Sequence, residues 1–342
     1  MTAPLLAAID GGNSKTDVVV VGADGSVLAG ARGGGFRPHE VGEGAAVEVI
    51  AAAVATALGR AGIGRPGTGL AHVAAYLANA DLPEEEESLT EALSARGWAR
   101  TVRVGNDTFA LLRAGASAGW GIAVVCGAGI NCLGVGPDGH VSRFPALGSM
   151  TGDWGGGFHL GKLALWHAVR GEDGRGPATA LTGAVAAHFG VQRAVDVGLA
   201  LHARDLDGGR LLELTPVLLE TATGGDAVAM SVVERMADEV TALGRVSLDR
   251  LGLRETRVEV VLGGGVMTAR HPVLMTAIER RYAELAPRAE LVVADAPPIL
   301  GAALLGLDEV GAPPETYAAL RAALTQERSL IPGQGGPVAP RG

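Results

Sequence analysis

The stretch Leu5-Leu6-Ala7-Ala8-Ile9-Asp10-Gly11-Gly12-Asn13-Ser14-Lys15-Thr16-Asp17-Val18-Val19-Val20-Val21 decides the fold of this chain. Two strand-forming runs flank a loop of glycine, amide and hydroxyl residues, and β-branched runs bounded by Gly and Asp favour a β-hairpin. Asp24-Gly25 then turns the chain into Ser26-Val27-Leu28-Ala29, so two hairpins follow in a row. The first loop therefore joins strand to strand. A dinucleotide fingerprint or a P-loop needs strand, glycine loop and helix, and this setting argues against both. In a hairpin, Gly11, Gly12 and Asn13 let backbone N–H groups turn inward as a concave nest for phosphate oxygens. Ser14, Lys15 and Thr16 add donors, and Asp10 at the strand end is placed to hold Mg²⁺ directly or through water. Gly-Gly-Asn is also good chemistry for an ordinary turn.

Outward from this hairpin the elements alternate. An Ala-rich helical pattern runs from Glu43 to Arg60, followed by a strand from Gly69 to Leu77 and a helix from Leu82 to Arg96. Thr101-Val102-Arg103-Val104 is a strand that runs straight into Gly105-Asn106-Asp107. The class is α/β. The theme returns with strands Ile122-to-Val125 and Leu133-to-Val135 and a turn at Pro137-Asp138-Gly139, so two halves that each begin with hairpins suggest an internal duplication. Residues 160 to 250 read as helical with Gly interruptions, and Arg257 to Leu262 is a strand ending in Gly263-Gly264-Gly265. The run Glu84-Glu85-Glu86-Glu87 reads as the solvated first turn of a helix, without a function. The Pro/Gly-rich residues 331–342 read as a disordered tail.

With 342 residues the chain exceeds the size at which one core usually keeps growing, so two domains and a cleft are expected. A net charge of −9 gives no reason to approach nucleic acid or an anionic membrane. No apolar run nears the roughly 20 residues that span a bilayer, and the start lacks the basic n-region of a signal peptide, so a cytoplasmic protein is expected. Cys126 and Cys132 are the two cysteines, too few for a disulfide framework or a four-ligand cluster from one chain, and read as buried thiols. His39, His72, His140 and His159 show no metal-ligand spacing.

Three further glycine clusters stand beside strand ends: Cys126-Gly127-Ala128-Gly129-Ile130-Asn131, Gly152-Asp153-Trp154-Gly155-Gly156-Gly157 at a helix start, and Gly263-Gly264-Gly265. The first suits a second phosphate clamp, the second an anion or sugar hydroxyl at helix N-terminal amides, and the third an adenine lying against backbone.

Together with Val104-Gly105-Asn106-Asp107 and Pro297-Pro298-Ile299-Leu300-Gly301-Ala302, these loops resemble the BadF/BadG/BcrA/BcrD-type ATPase family, whose sugar-kinase branch includes N-acetylglucosamine kinase. The resemblance runs from residue 5 to about 306. It implies two ribonuclease-H-like (actin-like ATPase) domains with an interdomain cleft, here 1–113 and 114–330 with a helical insertion in the second, closing on ATP and Mg²⁺ with a sugar at the cleft base. By the same resemblance Gly11 to Thr16 and Gly127-Ala128-Gly129 hold phosphates, Asp10 faces the metal, Gly263 to Gly265 lie near the adenosine, and a homodimer is expected. Asp107 falls at the family's catalytic aspartate, where a carboxylate accepts the acceptor hydroxyl's proton. Asp is also a favoured N-cap, here for a helix beginning at Thr108.

The acceptor side departs from the N-acetylglucosamine pattern. Phe36-Arg37-Pro38-His39 stands where a Ser-Asn pair often precedes Pro-His, Pro145-Ala146-Leu147-Gly148 replaces Gly-Gly-Trp-Gly, and Gly152-Asp153-Trp154-Gly155 replaces Gly-Asp-Glu-Gly. Arg37, His39, Asn106, Asn131, Gly148, Asp153 and Trp154 are the resulting substrate-side candidates. Arg37 either forks onto an anionic substituent or pairs with Glu40 or Glu43 on the surface. The expected activity is phosphorylation of a sugar or amino-sugar hydroxyl, N-acetylglucosamine or glucosamine first. Alternatives are a non-catalytic nucleotide or sugar sensor, and an ATPase activating a dehydratase through an iron–sulfur cluster, for which the cysteines are badly placed.

Overall fold

The computed structural model describes residues 4–63 and 69–326. The expected tail 331–342 lies outside them. The chain divides into two compact units, Met1–Gly119 with Ala294–Gly342, and Trp120–Val293.

In the first unit, β1 (Pro4–Gly11), β2 (Thr16–Gly22), β3 (Val27–Gly33), β4 (Leu70–Leu77) and β5 (Ala99–Asn106) form one sheet in the order β3-β2-β1-β4-β5. The β1–β2–β3 meander is antiparallel, whereas β4 and β5 run parallel to β1. Both faces are buried, and the side chains divide between them with the two-residue period of a strand. Ala7, Ile9, Val18, Val20, Val73, Ala75 and Leu77 meet the helix Glu43–Arg60, which presents Val47, Ile50, Val54 and Leu58 at helical spacing. Leu6, Ala8, Val19, Val21, Ala74 and Tyr76 face the opposite way. They are covered by the helix Pro298–Val310, which starts on a proline at N1 and buries Ile299, Leu300, Ala303, Leu304 and Leu307. Residues 298–326 therefore belong with the first sheet and not with a second domain of 114–330, because their apolar side chains cover β1, β2 and β4.

In the second unit, β6 (Gly121–Cys126), β7 (Ile130–Val135), β8 (Val141–Arg143), β9 (Val258–Gly263) and β10 (Ala289–Val293) lie in the order β10-β9-β6-β7-β8. β6 is antiparallel to β7 and parallel to β9, so each strand answers to one of the first sheet: β6 to β1, β7 to β2, β8 to β3, β9 to β4 and β10 to β5. The duplication suggested by paired hairpins is thus present in topology. Five α-helices between β8 and β9, from Gly157–Asp173 to Ala227–Arg250, do not hang off this sheet. They share a single core with Ile122, Val124, Cys126, Val260 and Leu262. Among the described residues no helix is long and apolar enough to cross a membrane.

Candidate functional site

Strand register brings the first unit's polar residues to one sheet end. Gly11 of β1 stands beside Leu77 of β4, and Leu77 beside Asn106 of β5, so the residues that follow each strand leave the sheet at the same level. These are Gly12 to Lys15, Ala78 to Asp81, and Asp107. Backbone bonds sew them together: Gly12 N donates to Lys15 O (2.8 Å), Ala78 N to Gly11 O (2.7 Å) and Phe36 N to Gly12 O (2.9 Å). The Asn79 amide donates to Asn13 Oδ1 (2.8 Å) and to Phe36 O (3.2 Å).

Two carboxyls at this end are held away from their ordinary state. Burial, helped by the nearby Asp107 and opposed by Lys15, pushes Asp10 up to about 7. Desolvation raises Asp107 to about 6, opposed by the backbone N–H groups of Thr108 and of Asp107 itself. A raised carboxyl beside a second one is the arrangement expected where a proton or a cation is to be exchanged. Among the described residues no group of three His, Cys, Asp or Glu could hold a metal. One buried carboxylate of elevated pKa does fit Mg²⁺, which usually takes one or two protein carboxylates and completes its shell with water and phosphate.

The helix after β5 starts at Asp107 itself, so the cap falls to Asn106 and not to Asp107 as the alternative reading had it. Asn106 is 2% exposed and its side chain is fully engaged. Its oxygen accepts from Thr108 N (3.0 Å) and Thr108 Oγ1 (2.5 Å), while Nδ2 donates to Ala80 O (3.2 Å) and Asp81 Oδ1 (2.8 Å). Asn106 thereby links the segment after β4 to the start of the Asp107 helix.

The remaining first-unit candidates are variously engaged. Thr16 is buried and its hydroxyl donates to Gly34 O (2.9 Å), so its side chain ties down the hairpin. Lys15 pairs with Asp17, which Arg32 also clasps with two bonds, Nε to Oδ1 (2.6 Å) and Nη2 to Oδ2 (2.9 Å). Ser14 is exposed at the turn. Arg37 pairs with Glu40 (2.9 Å), both exposed, which is the surface pairing weighed against an anionic ligand. His39 lies 3.6 Å from Glu85. No motif marks Asp17 and Arg32, because strand pairing puts them there. Asn79, near a strand end, reads from sequence either as reaching the acceptor or as a turn residue, and it stands in the turn after β4.

The acidic run is a correction. Glu85 Oε2 accepts from Asp81 N (2.9 Å) and Leu82 N (3.0 Å), and Glu86 Oε1 accepts from Asn106 N (3.0 Å). Two of the four glutamates are therefore tied to the segments around Asp107 instead of facing water. Glu85 at N3 reaching back to the Leu82 amide is half of a capping box, hidden because Leu82 stands where Ser or Thr would mark the cap.

In the second unit the glycine turns stack on one another. Gly127 N donates to Gly129 O (3.0 Å), Gly157 N to Gly127 O (2.7 Å) and Phe158 N to Ala128 O (3.0 Å). A Cβ on Gly156, whose φ is +84°, would lie 2.5 Å from the Gly129 backbone. One on Gly264, at φ +82°, would lie 2.4 Å from the Cys126 carbonyl carbon. Only glycine admits both the angle and the approach. Gly263 ends β9 beside Val125, and Gly265 opens the helix Gly265–Thr268. The 127–129, 155–157 and 263–265 turns thus form one glycine-walled cluster packed backbone to backbone.

Asn131 Oδ1 accepts from Cys132 N (2.7 Å). Gly148 opens a 3₁₀ turn, and its carbonyl accepts from Asp153 N (3.1 Å), while Thr151 Oγ1 donates to Asp153 Oδ2 (2.9 Å). Trp154 is half-buried against the unit's core, 4.8 Å from the His159 ring and 5.7 Å below the Arg235 guanidinium. Both cysteines are buried, with thiols pushed to about 12 by burial.

Two five-stranded sheets of identical wiring, each closed at one end by a glycine-bearing hairpin, define an α/β protein of the actin-like ATPase fold. A crystal structure of a candidate N-acetylglucosamine kinase from Chromobacterium violaceum has this fold, with a TM-score of 0.70, 24% identity, and coverage of 89% of this chain and 99% of that one. The sequence model of the BadF/BadG/BcrA/BcrD ATPase family matches residues 8–306, and the chain belongs to that family. N-acetyl-D-glucosamine kinase of Dictyostelium discoideum is 26% identical over 90% of this chain and 99% of its own length. N-acetylmuramic acid/N-acetylglucosamine kinase of Clostridium acetobutylicum is 26% identical over 76% of this chain and 84% of its own.

Proposed function

We propose that this protein is an ATP-dependent kinase of a sugar or amino-sugar hydroxyl, with N-acetylglucosamine or glucosamine as the first acceptors to examine. The observation that carries the reading is the level alignment of β1, β4 and β5, which sets a carboxyl of raised pKa beside a hairpin of backbone donors. Asp107 is the general base. It takes the acceptor's proton as the oxygen attacks the γ-phosphorus and the bond from that phosphorus to the β–γ bridging oxygen breaks, releasing ADP, a role that typically contributes about 10² to 10⁴-fold in rate. Asp10 would hold Mg²⁺, which would neutralise phosphate charge. The hairpin Gly11-Gly12-Asn13-Ser14-Lys15-Thr16 and the turn Gly127-Ala128-Gly129 supply amides for phosphate oxygens, and Gly263-Gly264-Gly265 backs the adenosine. Lys15 exchanges Asp17 for phosphate. Arg32 keeps Asp17 compensated when it does so.

Arg37, His39, Asn131, Gly148, Asp153 and Trp154 are read as the acceptor side. The two relatives named above act on N-acetylglucosamine, and one also on N-acetylmuramic acid, which supports an amino-sugar acceptor without choosing between them. The Arg37–Glu40 pair favours a neutral sugar over an anionic one. The buried, high-pKa thiols favour phosphoryl transfer over the dehydratase-activating alternative, since cluster ligation needs thiolate. Action in the cytoplasm as a homodimer completes the reading.

An ADP-release assay across N-acetylglucosamine, glucosamine, N-acetylmuramic acid and neutral hexoses tests it. Turnover above the ATPase background with at least one amino sugar is expected. ATP binding with no acceptor-dependent ADP release from any sugar contradicts it and favours a sensor.

A further inference from the structure

We propose that Glu86 is a positioning residue for Asp107, so that the acidic start of the helix Pro83–Ser94 is part of the phosphoryl-transfer machinery. The inference rests on the kinase reading above and deepens it. β5 is the edge strand of its sheet, paired with β4 alone. Its last residue, Asn106, is buried, and a buried N–H must find a partner off the ladder. Glu86 Oε1 supplies it at 3.0 Å, and a charged acceptor makes a stronger bond than a neutral one. That bond fixes the Gly105–Asn106 peptide and with it the backbone of the residue that precedes Asp107.

The same glutamate run fixes the other side of the junction. Glu85 grips the amides of Asp81 and Leu82, and Asn106 Nδ2 joins Ala80 O and Asp81 Oδ1. The helix backbone at Glu86 is tied in turn, because the Thr90 hydroxyl donates to the Glu86 main-chain carbonyl (2.6 Å) one helical turn on. The chain Glu86–Asn106–Thr108 therefore holds Asp107 from both neighbours, through Asn106 N on one side and Thr108 N on the other. Rate is steep in the placement of a reacting carboxylate, and a displacement near 1 Å can cost about 10²-fold. A glutamate that touches no substrate can thus set the turnover number. Nucleotide affinity, which the hairpin's amides would govern, should be indifferent to it.

The test is a double-mutant cycle read on the full chain with Mg-ATP and its best sugar. Glu86→Leu removes the acceptor, Glu86→Gln keeps an acceptor oxygen, and Glu86→Asp draws the carboxylate back by one methylene. Each is made in the parent and in Asp107→Asn. Glu86→Leu should lower kcat about 10- to 100-fold with KM for ATP changed less than about twofold, a loss typical of supporting-shell residues. Glu86→Gln should recover to within about fivefold of the parent, and Glu86→Asp should fall between. In the Asp107→Asn background all three should change kcat less than about twofold, because residues acting through one group are non-additive. If Glu86→Leu fails to fold, the Glu86→Asp cycle carries the same comparison. Equal losses in both backgrounds, a Glu86→Leu kcat within twofold of the parent, or no rescue by Gln would overturn the role while leaving the kinase reading intact. A parent inactive on every sugar would overturn the kinase reading, and this role with it.

Discussion

The end of the first sheet carries the raised carboxyls Asp10 and Asp107 beside a web of side-chain bonds through Asn79, Asp81, Glu85, Glu86 and Asn106, whereas the matching end of the second carries three glycine turns packed backbone to backbone. The wiring is the same. In the first, charge is concentrated where burial raises carboxyl pKa; in the second, side chains are withheld so that main chains can approach within contact distance. A duplicated strand order thus carries different side chains at its matching ends, and the second copy also holds five helices between β8 and β9. On the function proposed above, the acidic end serves the metal and the proton and the glycine end serves the nucleotide.

Breaking the acidic end should show in turnover. Asp107→Asn is expected to lower kcat by about 10² to 10⁴-fold with near-parental KM for ATP, measured by coupled ADP release. Breaking the glycine end should show in affinity. Gly156→Ala or Gly264→Ala forces a Cβ into backbone at 2.5 or 2.4 Å and at positive φ. Either should raise KM for ATP about tenfold, a cost of about 1–3 kcal/mol for a strained substitution, with kcat falling far less. Loss of kcat and not of affinity would erase the contrast between the two ends.

A smaller effect sharpens it through stability. The folded pKa of Asp10 lies above its unfolded value, so the proton favours the folded state. The contribution is fully present below about 4 and is lost as pH rises through about 7. Asp10→Asn removes a buried charge, and at pH 8 without Mg²⁺ should raise the melting temperature by about 2–4 °C, as roughly 1 kcal/mol does for units of this size. The gain should vanish near pH 4. A lower melting point at pH 8 would show that the carboxylate is stabilised there by partners and not strained by burial.

Much of this was legible in the sequence, and the reasons differ by element. The first hairpin declared itself because a β-branched run, a polar glycine loop and a second run leave one economical fold, and Val104-Gly105-Asn106-Asp107 pointed to the end of a strand. The discontinuity of the first unit was not legible, because the helix Pro298–Val310 is apolar nearly all round and nothing local says which sheet it covers. Asp17 and Arg32 meet only through strand pairing. Glu86 was hidden by its surroundings: among four consecutive glutamates, composition says solvent, and only tertiary packing shows that one of them meets a buried edge-strand amide.

The claim on which the account turns is that Asp107 is an ionisable base with a pKa lifted by its burial. The dependence of kcat/KM on pH, from 5 to 9, tests it most directly, since that profile reports groups of the free enzyme. Activity should fall with decreasing pH through an apparent pKa of about 6 to 7, shared by the Asp107 and Asp10 pair, and the residual activity of Asp107→Asn should lack the Asp107 limb. A flat profile in the parent, or the same limb surviving in Asp107→Asn, would contradict it.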